Sequence, residues 1–352
     1  MANQFATRYV SLIPEQTTST GVRSYGTESA MTAYDGVGTN PDRVYGEVDD
    51  ESIAHAFEVL YRSDMSRFGQ SKSQQGKEYS EGSLNFPMQP DDFMGLHFYG
   101  VYGNDTVSTG LHTFTETSTN VLPSFTMRVG RDEKEHTYTG MVLNRLGLTA
   151  NLNEYVMVSS DWNGKAESSV GTLETPVFSG ASIDALHFSQ ATVKFNNDST
   201  ASTLVKSFSM DWNMNVDTDM ACSLGNTTYV SQPTPGLREI TGSVEFAKII
   251  HTAVESEPTY TNMITAGGHT TNPTGSGDYA IRVEITDGTS PCTINLYHVR
   301  WEAASANVSG RDSQTMSMNY TALVDTGTSG SSVMSDVYFN EHANGAIRYL
   351  VM

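Results

Sequence analysis

Two cysteines in 352 residues provide no disulfide framework, so packing and hydrogen bonding must hold the chain, and Cys222 and Cys292 read as buried or idle thiols. Bases are scarce too: 20 Lys and Arg stand against 40 Asp and Glu, a formal charge of -20. The acids run through both halves with no basic cluster between them, which argues against a protein that grips nucleic acid by neutralising phosphates. Apolar residues make up 38%, below the roughly 45–50% of typical globular domains, and no run approaches the ~18 apolar residues of a membrane-spanning helix. The opening MANQFATRYV lacks the basic-then-apolar layout of a secretory signal, so synthesis in a cytoplasm is expected. Catalytic patterns are missing as well. The nine His are scattered, and there is no GxSxG, HExxH, P-loop or paired-Cys spacing. The stretch DWNMN at 211–215 starts like a calcium loop, but Val216 and Cys222 stand where that loop needs Gly and Glu. No enzyme, cofactor or metal site is expected.

What is present is Gly, Ser, Thr and Asn in quantity, the composition of many short strands and turns. An internal likeness organises them. Residues 125–150 and 279–303 each alternate apolar and polar residues, pause at a polar turn and resume. In this matching Phe125 and Arg128 fall on Tyr279 and Arg282, and Leu143, Leu146, Leu148 and Ala150 on Leu296, Val299, Trp301 and Ala303. Downstream, Val158, Ser160 and Trp162 parallel Met316, Met318 and Tyr320. Upstream, Phe57 and Tyr61 fall on Phe208 and Trp212, and Leu84 and Phe86 on Val244 and Phe246. Short helices are expected from Pro90 and from Phe246. The chain therefore reads as mainly β: an N-terminal arm at 1–50, a first β domain at 51–175 and a second at 176–352, the domains related by internal duplication. The clearest strand is KSFSMDWNMNV, where Met210, Trp212, Met214 and Val216 face one way and Ser209, Asp211, Asn213 and Asn215 the other. Trp162, Trp212, Trp301 and Tyr320 sit at strand positions that suit core packing better than a sugar-binding platform.

Two polar segments, 63–76 and 217–236, occupy the same place in the two halves and are longer than a hairpin needs. Recurrence of a long loop points to a role for it.

On the residues RYVSLIPEQTTSTG near the N-terminus, GSLNFPMQPDDFMGLHF at 82–98 and PSFTMRVGRDEKEHTYTGMVLNRLGLTANLNEYVMVSSDWNGK at 123–165, the sequence resembles the tail tube proteins of long-tailed, siphovirus-like phages and archaeal tailed viruses, in their duplicated-domain form. The resemblance implies a β-sandwich or β-barrel domain with a flanking short helix in each half. It implies strands that join edge to edge with neighbouring copies around a lumen, and trimeric rings of pseudo-sixfold symmetry that stack into a virion tail. Partners implied are the chain itself, tape measure, tail terminator and baseplate or tip proteins, with viral DNA passing through unbound. The family's inter-ring loop falls on 63–76 and 217–236, making Arg67, Phe68, Gln70, Lys72, Asp219, Asn226 and Tyr229 inter-ring candidates. Polar strand positions make Glu58, Asp211, Asn213 and Asn215 lumen candidates. A wall of like charge gives DNA no phosphate sites; adaptation of a halophilic host's virus to salt is a rival cause of the same acidity. A tandem β-sandwich adhesin that binds a receptor or glycan is the alternative function.

Overall fold

The computed structural model describes residues 8–15, 25–26, 43–66, 68–108, 111–116, 122–176, 178, 184–229, 231–266, 269–271, 278–307, 314–324 and 334–340. From the N-terminus the strands are β1 (Tyr9–Pro14), β2 (Val44–Gly46), β3 (Asp50–Glu51), β4 (Ala54–Ser63) and β5 (Gln70–Pro87). Helix α1 (Asp92–Tyr102) precedes β6 (Gly103–Ser108), β7 (Leu111–Glu116), β8 (Phe125–Arg131), β9 (Lys134–Asn151), β10 (Met157–Gly164) and β11 (Glu167–Thr172). Then come β12 (Ala191–Phe195), β13 (Val205–Asn213), β14 (Glu239–Phe246), α2 (Tyr260–Ala266) and β15 (His269–Thr271). The chain continues through β16 (Ile281–Thr286), β17 (Pro291–Leu296), β18 (His298–Asn307), β19 (Thr315–Leu323) and β20 (Ser335–Asn340).

Two antiparallel sheets result, one of fourteen strands and one of six, in the order β12-β16-β17-β20-β7-β6. The long sheet runs β18-β19-β14-β13-β9-β10-β5, with β4 paired to the outer side of β5. The fold is thus the expected β-sandwich. Strands from either side of residue 175 share both sheets: β9 pairs β13, and β7 pairs β20.

Helix α1 lies between the sheets with all eleven residues buried. A helix apolar on every side has to be a core element. Phe93 meets Phe86, and Phe98 meets Trp212 of the long sheet and Phe114 and Phe339 of the short one. Trp212 donates its indole N–H to Tyr102 Oη at 3.1 Å, and Tyr102 Oη and Ser335 Oγ share a hydrogen bond of 2.7 Å. The helix thereby ties itself to residues more than a hundred positions downstream. It starts at Asp91, whose carboxylate accepts the Met94 amide, and stops at Gly103 in the left-handed conformation, φ 74°. His97 is packed among Phe86, Phe93 and Trp162 in tilted and edge-to-face contacts. It bonds the Phe93 carbonyl through Nδ1 at 2.8 Å, and burial pushes its pKa down to about 4.

The strand pairing occurs in the same order twice, as β9-β10-β5-β4 and β18-β19-β14-β13. Each set has a bulge next to an aromatic of its second strand, at Asp161/Trp162 and beside the Trp301–Tyr320 pair, and a glycine opposite that aromatic, Gly82 facing Trp162 and Gly242 facing Tyr320. Each also has a cross-strand serine pair at 2.9 Å, Ser52 with Ser83 and Ser209 with Ser243. Gly242 is obligatory: a Cβ there would lie 2.1 Å from the Ser209 carbonyl oxygen.

These ladders correct the sequence register. The positions equivalent to Phe208 and Trp212 are Glu51 and His55, six residues before Phe57 and Tyr61, which are 62% and 61% exposed. Leu143 corresponds to Trp301, not Leu296. An even shift leaves alternation of period 2 unchanged and a bulge reverses its phase, so alternation identifies the strand without fixing its partner. Three further expectations change. Of segment 1–50, Tyr9–Pro14 is not a free arm but a fully buried strand on β8. The second helix forms at Tyr260–Ala266, not from Phe246, because buried Glu257 takes the Val254 and Glu255 amides and Pro258 follows. Residues 70–76, expected in a loop, continue β5 against β4, whose last residue is Ser63.

Burial, with Asp92 and Glu47 nearby, pushes Asp91 up to about 7. A raised carboxyl pKa gives stability that is present at low pH and lost as pH rises through 7. Asp91→Asn retains an oxygen for the Met94 amide without the charge. Its melting temperature is expected to match wild type near pH 4 and exceed it at pH 8, whereas Asp91→Ala, which also lacks the charge, stays about 1 kcal/mol below the Asn variant at both. Calorimetry across pH 4–8 checks this; an Asn variant weaker than wild type at pH 8 refutes it.

Candidate functional site: the polar face of the long sheet

Strand alternation gives the long sheet one apolar and one polar face. On β13, Phe208, Met210 and Trp212 are buried against the core, and Ser207, Ser209, Asp211 and Asn213 point away, half-buried. Neighbouring strands keep the same phase. One row runs Asp50, Asn85, Ser159, Gly147, Asp211, Thr241, Thr321, Arg300 across seven ladders. The next runs Ser83, Asp161, Arg145, Asn213, Glu239. The wall is therefore made of small hydroxyls and amides with acids set among them.

Charge on this face is mainly negative. Asp50, Glu81, Asp161, Asp211, Glu239, Glu245 and Glu302 share it with Arg145, Lys206 and Arg300. The bases are engaged. Arg145 is paired with Asp211 and, at 3.4 Å, with Asp161. Lys206 lies 4.0 Å from Glu245. A phosphate approaching Arg145 would have to compete with two carboxylates already in place, and it would do so against the repulsion of the remaining acids.

The lumen candidates divide. Asp211 and Asn213 stand in adjacent rows of the wall. Asn215 lies just past β13 at φ 46°, its side chain donating to the Leu237 carbonyl at 2.7 Å. Glu58 falls in the bulge between Phe57 and Val59, on the part of the β4–β5 hairpin that projects beyond the wall. Arg145, Asp161 and Glu239 were not singled out from the sequence. Their signal was there: once Val158, Ser160 and Trp162 are assigned inward, Ser159 and Asp161 must point outward.

The inter-ring candidates divide too. Phe68, Gln70 and Lys72 are exposed at the hairpin tip, with Phe68 fully so, and Met65 beside them; Arg67 lies outside the described residues. The second segment folds back on its own chain. The Glu78 amide donates to the Thr227 carbonyl at 2.7 Å, and the Tyr229 ring, 2% exposed, stacks on Tyr79. Lys77 sits over both rings and bonds Asp219 at 3.2 Å. Asp219 and Asn226 are exposed, and of the three only Tyr229 is buried. Replacing Lys77 by Met is expected to loosen 217–236 by roughly 1 kcal/mol, the scale of an exposed cation–π contact. Faster proteolysis within that segment, with the global melting temperature nearly unchanged, is the readout.

A family model described as phage tail tube protein matches residues 7–322 of the chain. No curated protein matches it.

Proposed function

The chain belongs to the phage tail tube family, a structural component of the virion tail that assembles with copies of itself into a tube, and on that premise we propose that three copies close each ring with the polar face of the long sheet lining the lumen. The observation that carries this reading is the face itself, a continuous hydroxyl, amide and carboxylate surface whose bases are occupied. DNA sliding past it meets like charge and no ready phosphate site.

Circumference supports the number three. Each chain contributes eight strands, β18-β19-β14-β13-β9-β10-β5-β4, made of two like sets of four that fit a duplicated domain. Three chains make twenty-four strands (3 × 8). At about 4.8 Å between strands and a tilt of about 40°, they enclose a backbone diameter of about 48 Å. Two chains give about 32 Å by the same arithmetic, of which side chains take about 10 Å. The larger ring accommodates a hydrated duplex. The exposed tip at Phe68, Gln70 and Lys72 reaches the adjacent ring, while Asp219 and Tyr229 brace the hairpin from within their own chain. Tape measure, terminator and tip proteins occupy the lumen and the two ends of the stack. No catalytic role enters this reading, and no observation favours a glycan-binding adhesin.

Purified protein at high concentration is expected to show hollow tubes by electron microscopy, with threefold ring averages; rings of six chains would refute the stoichiometry. Glu81→Lys with Glu239→Lys adds bases at two exposed wall positions without touching the Arg145 pairs. Tubes of normal diameter are expected, with DNA ejection slowed several-fold at low salt and restored at high salt, where screening removes the attraction. Unchanged ejection from normal tubes would remove this face from the lumen.

A further inference from the structure

The chain contains one seam of the kind a ring needs, and it shows what the other looks like. On the inner seam, β13 pairs with the C-terminal half of β9, Ser207 through Asn213 against Asn151 through Arg145. The matching ladders identify the same two elements at the ends of the sheet. Asn85 and Ser83 pair with Asp50 and bond Ser52 as Glu245 and Ser243 pair with Ser207 and Ser209, so Ser52, Ile53, Ala54 and His55 stand where Ser209, Met210, Asp211 and Trp212 do. Counting from the shared bulge, Ala304, Ser305 and Ala306 stand where Leu146, Gly147 and Leu148 do.

Resting on the tail tube reading, we propose that the Ser52–Ala56 edge of one copy pairs with the Ala303–Asn307 edge of a second copy in the register of the inner seam: Ile53 opposite Ala306, Ala54 opposite Ser305, His55 opposite Ala304. The occupant of each edge is a second copy because this chain's own sheet already makes the joint once. Both edges are open among the described residues: β4 is paired only on its β5 side, and β15 covers β18 only at Val299–Trp301. The side chains fit the assignment. Their inner-seam counterparts Leu146, Leu148, Met210 and Trp212 are all buried, whereas His55 is exposed and Ala304 and Ala306 are half-buried, ready for cover.

In the single chain the Ile53 edge is blunted from within. Its N–H donates to Glu51 at 3.1 Å, and its carbonyl accepts from Arg131, itself paired with Glu51 at 2.6 Å. Side chains covering an open edge keep it from pairing indiscriminately, and pairing in the seam releases them. The outer seam also differs in charge. Ala54 replaces Asp211 and Ala303 replaces Arg145, so the ion pair of the inner seam has no outer equivalent.

Ala54→Cys with Ser305→Cys, in a Cys222→Ser background, tests the register. The two positions lie at opposite ends of one sheet, so a bond between them joins different chains. Mild oxidation of assembled protein is expected to give covalent trimers on a non-reducing gel, and His55→Cys with Ser305→Cys, one residue out and on the other face, is expected to give at least tenfold fewer. Tubes that form without the Ala54–Ser305 bond overturn the seam and leave the tail tube reading standing. Equal crosslinking by both pairs overturns the register. Protein that stays monomeric and uncrosslinked at all concentrations overturns seam and reading together.

Discussion

Seven residue pairs between β9 and β13 carry the architecture. They put the apolar faces of both halves of the long sheet on one side, where α1 fills the space to the short sheet, and the polar faces on the other. A slip of one residue would turn Trp212 and Met210 to the polar face and Asp211 into the core. Slippage is opposed from the core, because Trp212 is hydrogen-bonded to Tyr102, and Tyr102 to Ser335. The helix therefore fixes the register of a seam it does not belong to. Its own position depends on a neutral His97 and on Asp91 at its start, so the joint is sensitive to protonation at residues far from the wall.

Much of this was legible because strands announce themselves by alternation. The β13 pattern, the β8–β9 turn at 132–133 and α1 all formed where the residues called for them. What alternation leaves open is register, and the errors fell there: Phe57 and Tyr61 match core aromatics in type and spacing yet lie outside, because Glu51 and His55 occupy the equivalent ladder positions. Glu51 in place of Phe208 looks like a broken repeat until Arg131 is seen across from it. Loop character misled for a similar reason. Residues 70–76 are polar on both sides, and a strand in a projecting hairpin needs no apolar face. In the opposite direction, Tyr229 in a polar segment found a buried place by stacking on Tyr79, a partner 150 residues away that no local pattern indicates.

The ion pairs of the wall contribute little to stability. Arg145, Asp161 and Asp211 are each about two-fifths exposed, and such pairs are worth about 0–1 kcal/mol. Their effect lies in what they withhold. An arginine held between two carboxylates keeps its packing value on the sheet surface, while its attraction for a passing phosphate is spent on its neighbours.

That arrangement occurs once per chain, on a backbone pattern that occurs twice. In the proposed ring the strands repeat every 60°, but the Arg145 cluster returns only every 120°, separated by seams of alanine and serine. A helical polyanion moving along the axis would therefore sense a threefold electrostatic potential inside a nearly sixfold cylinder. Successive rings rotated by 60° would alternate charged and neutral seams along each longitudinal track, smoothing the field; unrotated rings would line the clusters into three continuous rails.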